Sequence, residues 1–449
     1  MTRLRSLRGC LIAVVFAAAS LSAQSPEGEK ALPLAVDQAV DLALKYSQSL
    51  KASSEKTAGA EARARETDTY RWPSLKFASS YSRLSPTAAF EIDVPNIGKF
   101  VLNPALLNAY NFQLTVQQPL FTGHQLSGAS EAGRIQARAA REEYLRDEAE
   151  LVFAVRDAYW TVYKAADVKR LVDENVALIE AHLRDVRNFL DQGLAKPNDL
   201  LKVQVQLSSA KVTQLQSANA IRLAVMSLNS LIGLPVNGDI RVTSQVREPE
   251  AAEPETLDAL VARALENRPE LKAAGFGIKA AEAGVKIAKS GRYPQIYLVG
   301  NYYMSNPNQR IYPLENKFNG TWDVGVALSL DLWNWNRTGA QTRQARAQLA
   351  QAEHGAAQLR DAVTLEVSQN YFAVEQQKLT IRLAAEGVAQ AEENYRVTRD
   401  RFKAGLALNS DLLDAEVALL QANISHSQAK ADYEVLQAKL TKSVDGKGR

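Results

Sequence analysis

The groups in this chain best suited to chemistry are carboxylates held at a fixed offset from a glycine. Gly193-Leu194-Ala195 is followed by Asp199-Leu200-Leu201, and Gly405-Leu406-Ala407 by Asp411-Leu412-Leu413. Both copies read G-L-A-x-x-x-D-L-L, 212 residues apart, and each lies between long Ala/Gln/Leu-rich stretches. A glycine that reverses the chain and an acid that starts the returning helix make a helical hairpin. Asp411 is either a plain N-cap or a charge presented at the turn, and the two roles can coexist; Asp414, three residues on, has no capping duty. Carboxylates gathered at a constriction attract cations and disfavour anions. The leucines after the glycines, Leu194 and Leu406, either pack on their own hairpins or meet a partner's groove.

Other reactive groups form no constellation. His124, His182, His354 and His426 have no histidine three or four residues away, which speaks against a metal site. No glycine-rich phosphate loop follows a strand, and no nucleophile elbow occurs. The single cysteine, Cys10, precedes a short apolar run, Leu11 to Ala19, that follows Arg3, Arg5 and Arg8 and leads to Leu21-Ser22-Ala23. That order is a secretory signal with a cleavage site near residue 23. The exported chain then has no thiol and no lipid-bearing cysteine. No cofactor, metal or catalytic residue is expected. Without the three leading arginines the 53 basic residues fall to 50, matching 50 acids, so nothing marks a nucleic-acid partner.

The hairpins belong to a larger duplication. Leu50-Lys51-Ala52 recurs as Leu271-Lys272-Ala273, and Trp72-Pro73 as Tyr293-Pro294, both at an offset of 221. The offset falls to 212 because the first half carries nine extra residues between Tyr81 and Phe112. Two copies of one unit favour quasi-symmetric assembly over a single catalytic pocket. The expected organisation is a signal at 1–23, a first repeat at 24–233, an irregular linker at 234–255, a second repeat at 256–443 and a disordered tail at 444–449.

Periodicity supplies the elements. Helices are predicted over 35–46, 49–70, 127–190, 199–231, 257–290 with a break at Arg268-Pro269, 337–403 and 409–442. Leu145, Ala149, Val152, Val155, Tyr159 and Val162 form a coiled-coil seam. Period-two alternation predicts four strands, around 75–86, 112–119, 296–302 and 322–330. Each strand is about ten residues, long enough to cross an outer membrane when tilted. Each long helix, at 1.5 Å per residue, reaches roughly 95–100 Å. Four strands cannot close a barrel, which takes about eight or more. A dimer gives eight and a trimer twelve. Aromatics near the strand ends (Tyr110, Tyr302, Tyr303, Trp322, Trp333 and Trp335) suit the interfacial girdles of a membrane barrel contacting outer-membrane lipid.

The chain resembles the TolC family of outer-membrane efflux proteins. The resemblance rests on Asn267-Arg268-Pro269-Glu270-Leu271-Lys272-Ala273-Ala274, on Gln118-Pro119-Leu120-Phe121-Thr122-Gly123, and on the two glycine turns, in that duplicated arrangement. It implies a mainly α protein with a small membrane β-barrel: a homotrimer with twelve strands in the membrane and long helices forming a periplasmic tunnel. It further implies a periplasmic adaptor and an inner-membrane transporter as partners. Asp411 and Asp414 match the acids that ring the periplasmic entrance in the family, and Asp199 matches a first-hairpin acid that helps hold it shut. Phe402 and Ala407 stand where members often carry a locking tyrosine and arginine, and can make neither bond. The closed state is therefore expected to rest on packing and adaptor contact. Gly193, Leu194, Gly405 and Leu406 match the adaptor-docking tips. The expected function is a passive exit duct for efflux or type I secretion; the rival is a periplasmic coiled-coil scaffold without a pore.

Overall fold

The computed structural model describes residues 31–86, 88–104, 106–246 and 255–446. The expected signal at 1–23 lies outside them. The first half contains β1 (Leu32–Leu34), α1 (Val36–Tyr46), α2 (Gln48–Thr69), β2 (Ser74–Arg83), β3 (Phe90–Val94), β4 (Gly98–Asn103), β5 (Asn108–Phe121), α3 (Gln125–Asp191) and α4 (Pro197–Ile232). The second contains β6 (Ile240–Val242), α5 (Leu257–Asn267), α6 (Pro269–Lys289), β7 (Gln295–Asn306), β8 (Asn319–Ser329), α7 (Arg337–Lys403) and α8 (Asn409–Asp445). The two 67-residue helices, α3 and α7, each reach about 100 Å at 1.5 Å per residue. Among the described residues no helix is long and apolar enough to cross a membrane.

The duplication is reproduced in detail. Ser47 and Arg268 both leave the helical region, at ψ 128° and 127°, and break the first helical stretch of each half. At Arg268 the cause is Pro269, whose ring disfavours helical backbone before it. A four-stranded antiparallel sheet has the order β2-β5-β7-β8. In β2–β5, Ser74 faces Gln117 and Arg83 faces Asn108. In β7–β8, Gln295 faces Ser329 and Met304 faces Gly320. Adding 221 to the first member and 212 to the second converts one register into the other without a slip.

Apolar residues line one face of the sheet (Leu75, Phe77, Leu114, Val116, Val324, Val326, Leu328) and stay exposed. Small and polar residues hold the other: Gln113 and Thr115 bond to Asn301, which donates to Asp323 at 2.9 Å. Aromatics gather at both ends, with Tyr81, Tyr110 and Phe318 at one and Trp333 and Trp335 at the other.

The main core sits where α1, α3 and α4 meet β1 and β6. Leu34, Val40, Val152, Val155, Tyr159, Leu228 and Ile232 are buried there. The predicted seam is the buried stripe of α3, apart from Leu145, which is exposed. The second half has a smaller equivalent of Leu260, Ala264, Val363, Val367 and Val444.

Three expectations need correction. The linker at 234–255 is not wholly irregular, because β6 pairs in parallel with β1. A three-residue strand carries too little pattern to read, and this one is fixed by Tyr159, whose hydroxyl donates to Leu34 O and accepts from Ser244 N, each at 2.9 Å. The extra residues between Tyr81 and Phe112 form a hairpin, β3–β4, turning at Asn96 with φ 67°. Residue 444 is not in a tail: α8 continues to Asp445 because Val444 is buried in the second core and Asp445 pairs with Arg263 at 3.0 Å, and 447–449 lie outside the described residues.

Tyr159→Phe keeps the ring but removes the hydroxyl's bonds, leaving Ser244 N without that partner and Leu34 O with the Thr243 amide alone. It should cost about 1–3 kcal/mol, read as a lower thermal-unfolding midpoint. An unchanged midpoint would show that β1 and β6 are held by packing alone.

Candidate functional site

The ends of the α3–α4 and α7–α8 hairpins carry every residue singled out from the duplicated turn. Both turns have the same backbone. Gly193 has φ 76° and Gly405 φ 74°, a region that side chains with a Cβ enter at a cost of about 1–2 kcal/mol. Gly193 N donates to Leu190 O at 2.9 Å and Leu194 N to Phe189 O at 2.7 Å. In the second turn Gly405 N donates to Phe402 O at 3.0 Å and Leu406 N to Arg401 O at 2.8 Å. These paired bonds close the last carbonyls of each helix in the Schellman arrangement. The residue after the glycine commonly packs back on its own helix there. Leu194 and Leu406 do not: they are 72% and 70% exposed.

The acids also repeat. Lys196 and Leu408, both in extended backbone, hold the N-cap positions. Asp199 and Asp411 therefore lie three residues into their helices rather than at the cap. Each turns a carboxylate oxygen back to the cap amide, Asp199 on Lys196 N at 3.3 Å and Asp411 on Leu408 N at 3.1 Å. A negative charge there also complements the positive end of the helix dipole. Asp414 is exposed on the next turn of α8.

The structure brings the two hairpin ends together. Asn409 donates its side-chain amide to the Asp199 carbonyl at 3.3 Å, so one tip hydrogen bond supplements the packing expected to hold them. Phe402 takes part in that packing: its ring meets Phe189 and His182 edge-on at 5.7 and 5.3 Å. Ala407 lines an open groove of about 560 Å³ between the ends, with Phe189, Leu194, Leu408, Lys202 and Lys403.

Deeper along the same seam lies a pair that sequence reasoning missed. His182 on α3 and Glu416 on α8 place Nδ1 and Oε1 3.1 Å apart with both side chains 2% exposed. Neither ring nitrogen of His182 nor the second oxygen of Glu416 makes a hydrogen bond among the described residues, so the two side chains meet at ion-pair distance without hydrogen-bond geometry. Each residue alone looks like one more polar position on a long helix, and nothing local links positions 234 apart. Neighbouring Tyr395 has its hydroxyl pushed above the usual value by burial, with the Glu416 charge adding to the effect. No group of three or more potential metal ligands occurs among the described residues.

Comparison with known proteins fits this geometry. The sequence model of the family described as "Outer membrane efflux protein" matches residues 39–234 and 260–446. The outer membrane efflux protein BepC of Brucella suis is 25% identical over 324 residues, covering 72% of this chain and 69% of that protein. The alkaline protease secretion protein AprF of Pseudomonas aeruginosa is 24% identical over 337 residues, covering 74% and 69%. Among solved structures, the outer membrane protein VceC of Vibrio cholerae superposes with a TM-score of 0.74 at 19% identity, covering 92% of this chain and 97% of that one. The open-state MtrE channel of Neisseria gonorrhoeae gives 0.75 at 19% identity, covering 92% and 89%.

Glu416→Ala leaves a buried polar imidazole facing an empty site and should cost about 1–3 kcal/mol, read as faster amide exchange along α8 near the tip and a lower unfolding midpoint. Replacing both partners, His182→Leu with Glu416→Leu, should recover most of the loss. A single-variant cost near zero would show that the pair does not join the hairpins.

Proposed function

Because the chain belongs to the outer membrane efflux protein family, we propose that it works as a passive exit duct closed by three copies. Each copy contributes the four strands β2, β5, β7 and β8 to a twelve-stranded barrel and its long helices to a periplasmic tunnel. The observation that carries this reading is a sheet with an exposed apolar face and two open edges, mounted on helices about 100 Å long. The family match supports the duct over the pore-free scaffold. The duct catalyses nothing, and energy comes from an inner-membrane transporter reached through a periplasmic adaptor.

The hairpin ends form the periplasmic entrance. Three-fold repetition gathers Asp411 and Asp414 into six carboxylates around one mouth, favouring cations. Asp411 is tied to the Leu408 amide, so Asp414 has the freer charge. Asp199 and Phe402 help to hold the entrance shut, Phe402 through its aromatic contacts rather than a hydroxyl, and Ala407 lines the groove between the ends. Gly193, Leu194, Gly405 and Leu406 present the adaptor with two apolar anchors on rigid turns. Relatives named for efflux and for protease secretion both match this chain, and the wall residues of the sheet are small and polar. Cargo choice is therefore assigned to the transporter, not the duct.

Single-channel conductance in a planar bilayer tests the duct. The wild type should give small cation-selective currents, and Asp411→Ala with Asp414→Ala larger or less selective ones. Absence of current from folded, membrane-extracted trimer would overturn the reading. The tips have a separate assay. Leu194→Ser with Leu406→Ser should weaken capture of the adaptor roughly tenfold, the effect of losing about 1.4 kcal/mol of anchor burial, while conductance stays as in the wild type. Unchanged capture would remove the docking role.

A further inference from the structure

Strands β2, β5, β7 and β8 hold three charged side chains: Lys76, Arg83 and Asp323. Arg83 alternates with the apolar face, at the end far from the helices, and donates to Asn108 Oδ1 at 2.9 Å. Lys76 and Asp323 belong to the polar face. The register sets them in one transverse row, in which Lys76 faces Thr115, Thr115 faces Asn301 and Asn301 faces Asp323. Side-chain bonds run along that row. Thr115 donates to Asn301 Oδ1, and Asn301 Nδ2 to Asp323 Oδ1, each at 2.9 Å.

The two charges of the row are treated differently. Asp323 is covered from the loop between β7 and β8. Arg310 on that loop donates Nη2 to Asp323 Oδ2 at 2.6 Å, and its guanidinium lies 4.8 Å from the centre of the Tyr303 ring. The loop is fixed there by Asn308, which is 4% exposed. Asn308 Oδ1 accepts from Arg310 N at 3.0 Å, and its Nδ2 donates to Asn319 O at 2.9 Å and Thr321 Oγ1 at 3.2 Å. Lys76, by contrast, is exposed and has no carboxylate partner among the described residues. With Arg310 set against Asp323, the polar face of each copy keeps the Lys76 charge uncompensated.

We infer that Lys76 makes the barrel section of the duct prefer anions, opposite in sign to the acidic entrance, and that Arg310 is required for this because it cancels Asp323. The inference rests on the trimeric duct proposed above, which turns the polar face to the lumen and repeats Lys76 at one height in each copy. It concerns the ions and small charged solutes that pass the barrel; cargo choice stays with the transporter.

Charge rings decide the sign of ion preference in pores, carboxylates favouring cations and Lys or Arg favouring anions. In barrels it is the lumen-facing positions that tune selectivity. The Arg310–Asp323 pair is half-exposed, so it adds little to stability. Its electrical effect does not depend on that: opposite charges this close present a dipole, not a net charge, to a passing ion. Lys76 has no such cover. Salt limits its reach, since the screening length is about 10 Å at 0.1 M and about 30 Å at 0.01 M. The anion preference should therefore strengthen as the salt is diluted.

Reversal potentials in a KCl gradient test this with the full chain in planar bilayers. The background is Asp411→Ala/Asp414→Ala, in which the entrance no longer imposes its own sign. That background should prefer chloride over potassium. Adding Lys76→Gln should abolish the preference, and Lys76→Glu should reverse it to potassium. Adding Arg310→Ala instead should also remove the chloride preference, although Lys76 is intact, and Asp323→Asn on top of it should bring the preference back. If Arg310 served only to hold its loop, Asp323→Asn would restore nothing, and that result would overturn the part given to Arg310. Currents with the same reversal potential in Lys76→Glu as in its background would overturn the inference and leave the duct standing. Absence of current from folded trimer in every variant would overturn the duct and the inference with it.

Discussion

Hydrogen-bond satisfaction in lipid is the constraint on which the rest of the molecule depends. Backbone N–H and C=O groups cannot be left unpaired in hydrocarbon, so strands cross a membrane only in closed barrels. A sheet of order β2-β5-β7-β8 has two open edges and too few strands to curl shut alone. Its outer face is apolar and its edges are uncharged over most of their length, the opposite of how an edge strand in water is protected. In the trimeric duct proposed above, closure by further copies meets both demands.

The helices meet a different demand. α3 and α7 follow β5 and β8 after short left-handed corners, Gly123-His124 and Trp335-Asn336. Added Cβ at Gly123 would lie 2.6 Å from Tyr293 Cβ and 2.8 Å from Ser290 O, so only glycine fits that corner. Burial along the helices is uneven. The largest cluster lies where α1, α4 and the β1–β6 ribbon pack on α3, anchored by Tyr159. Towards the tips the clusters shrink to a few residues such as Val176, Ile179, Val186 and Val203. Segments with little buried apolar surface open at the lowest free energy. The molecule is therefore most firmly held at its middle and least at the ends where the two hairpins meet.

Legibility in the sequence followed the length of the repeat unit. Helices of 67 residues and strands of ten or more declare their periods many times over, and α7 was bounded at Arg337 and Lys403 from pattern alone. The glycine turns were legible because positive φ restricts residue choice and the motif occurs twice. The β1–β6 ribbon was not, because three residues hold barely one period and its partners lie 208 positions apart. The β3–β4 hairpin was visible as an excess of nine residues but not as strands, since its alternation, Phe90-Ile92-Val94, is short and mixed with charge. Family resemblance and motif single out the tip residues but not the contacts of His182, Glu416 and Asn409, because each of these acquires its partner only from the opposite hairpin.

That difference matters for how the tips are held. With Phe402 and Ala407 unable to make the family's tip hydrogen bonds, packing and adaptor contact were the expected hold. The observed seam uses three contacts of different kinds: an amide-to-carbonyl bond from Asn409 to Asp199, an aromatic group of Phe402, Phe189 and His182, and the buried His182–Glu416 pair. Phe402 touches the same imidazole that faces Glu416, so apolar and polar contacts are joined through one residue. Separating the hairpins would expose Phe402 to water and hydrate His182 and Glu416 in the same movement. The first change opposes separation, since apolar area is lost from burial. The second favours it, since a buried polar pair recovers solvation. In the duct proposed above, the balance of these opposing terms sets how readily the hairpins part when a partner docks.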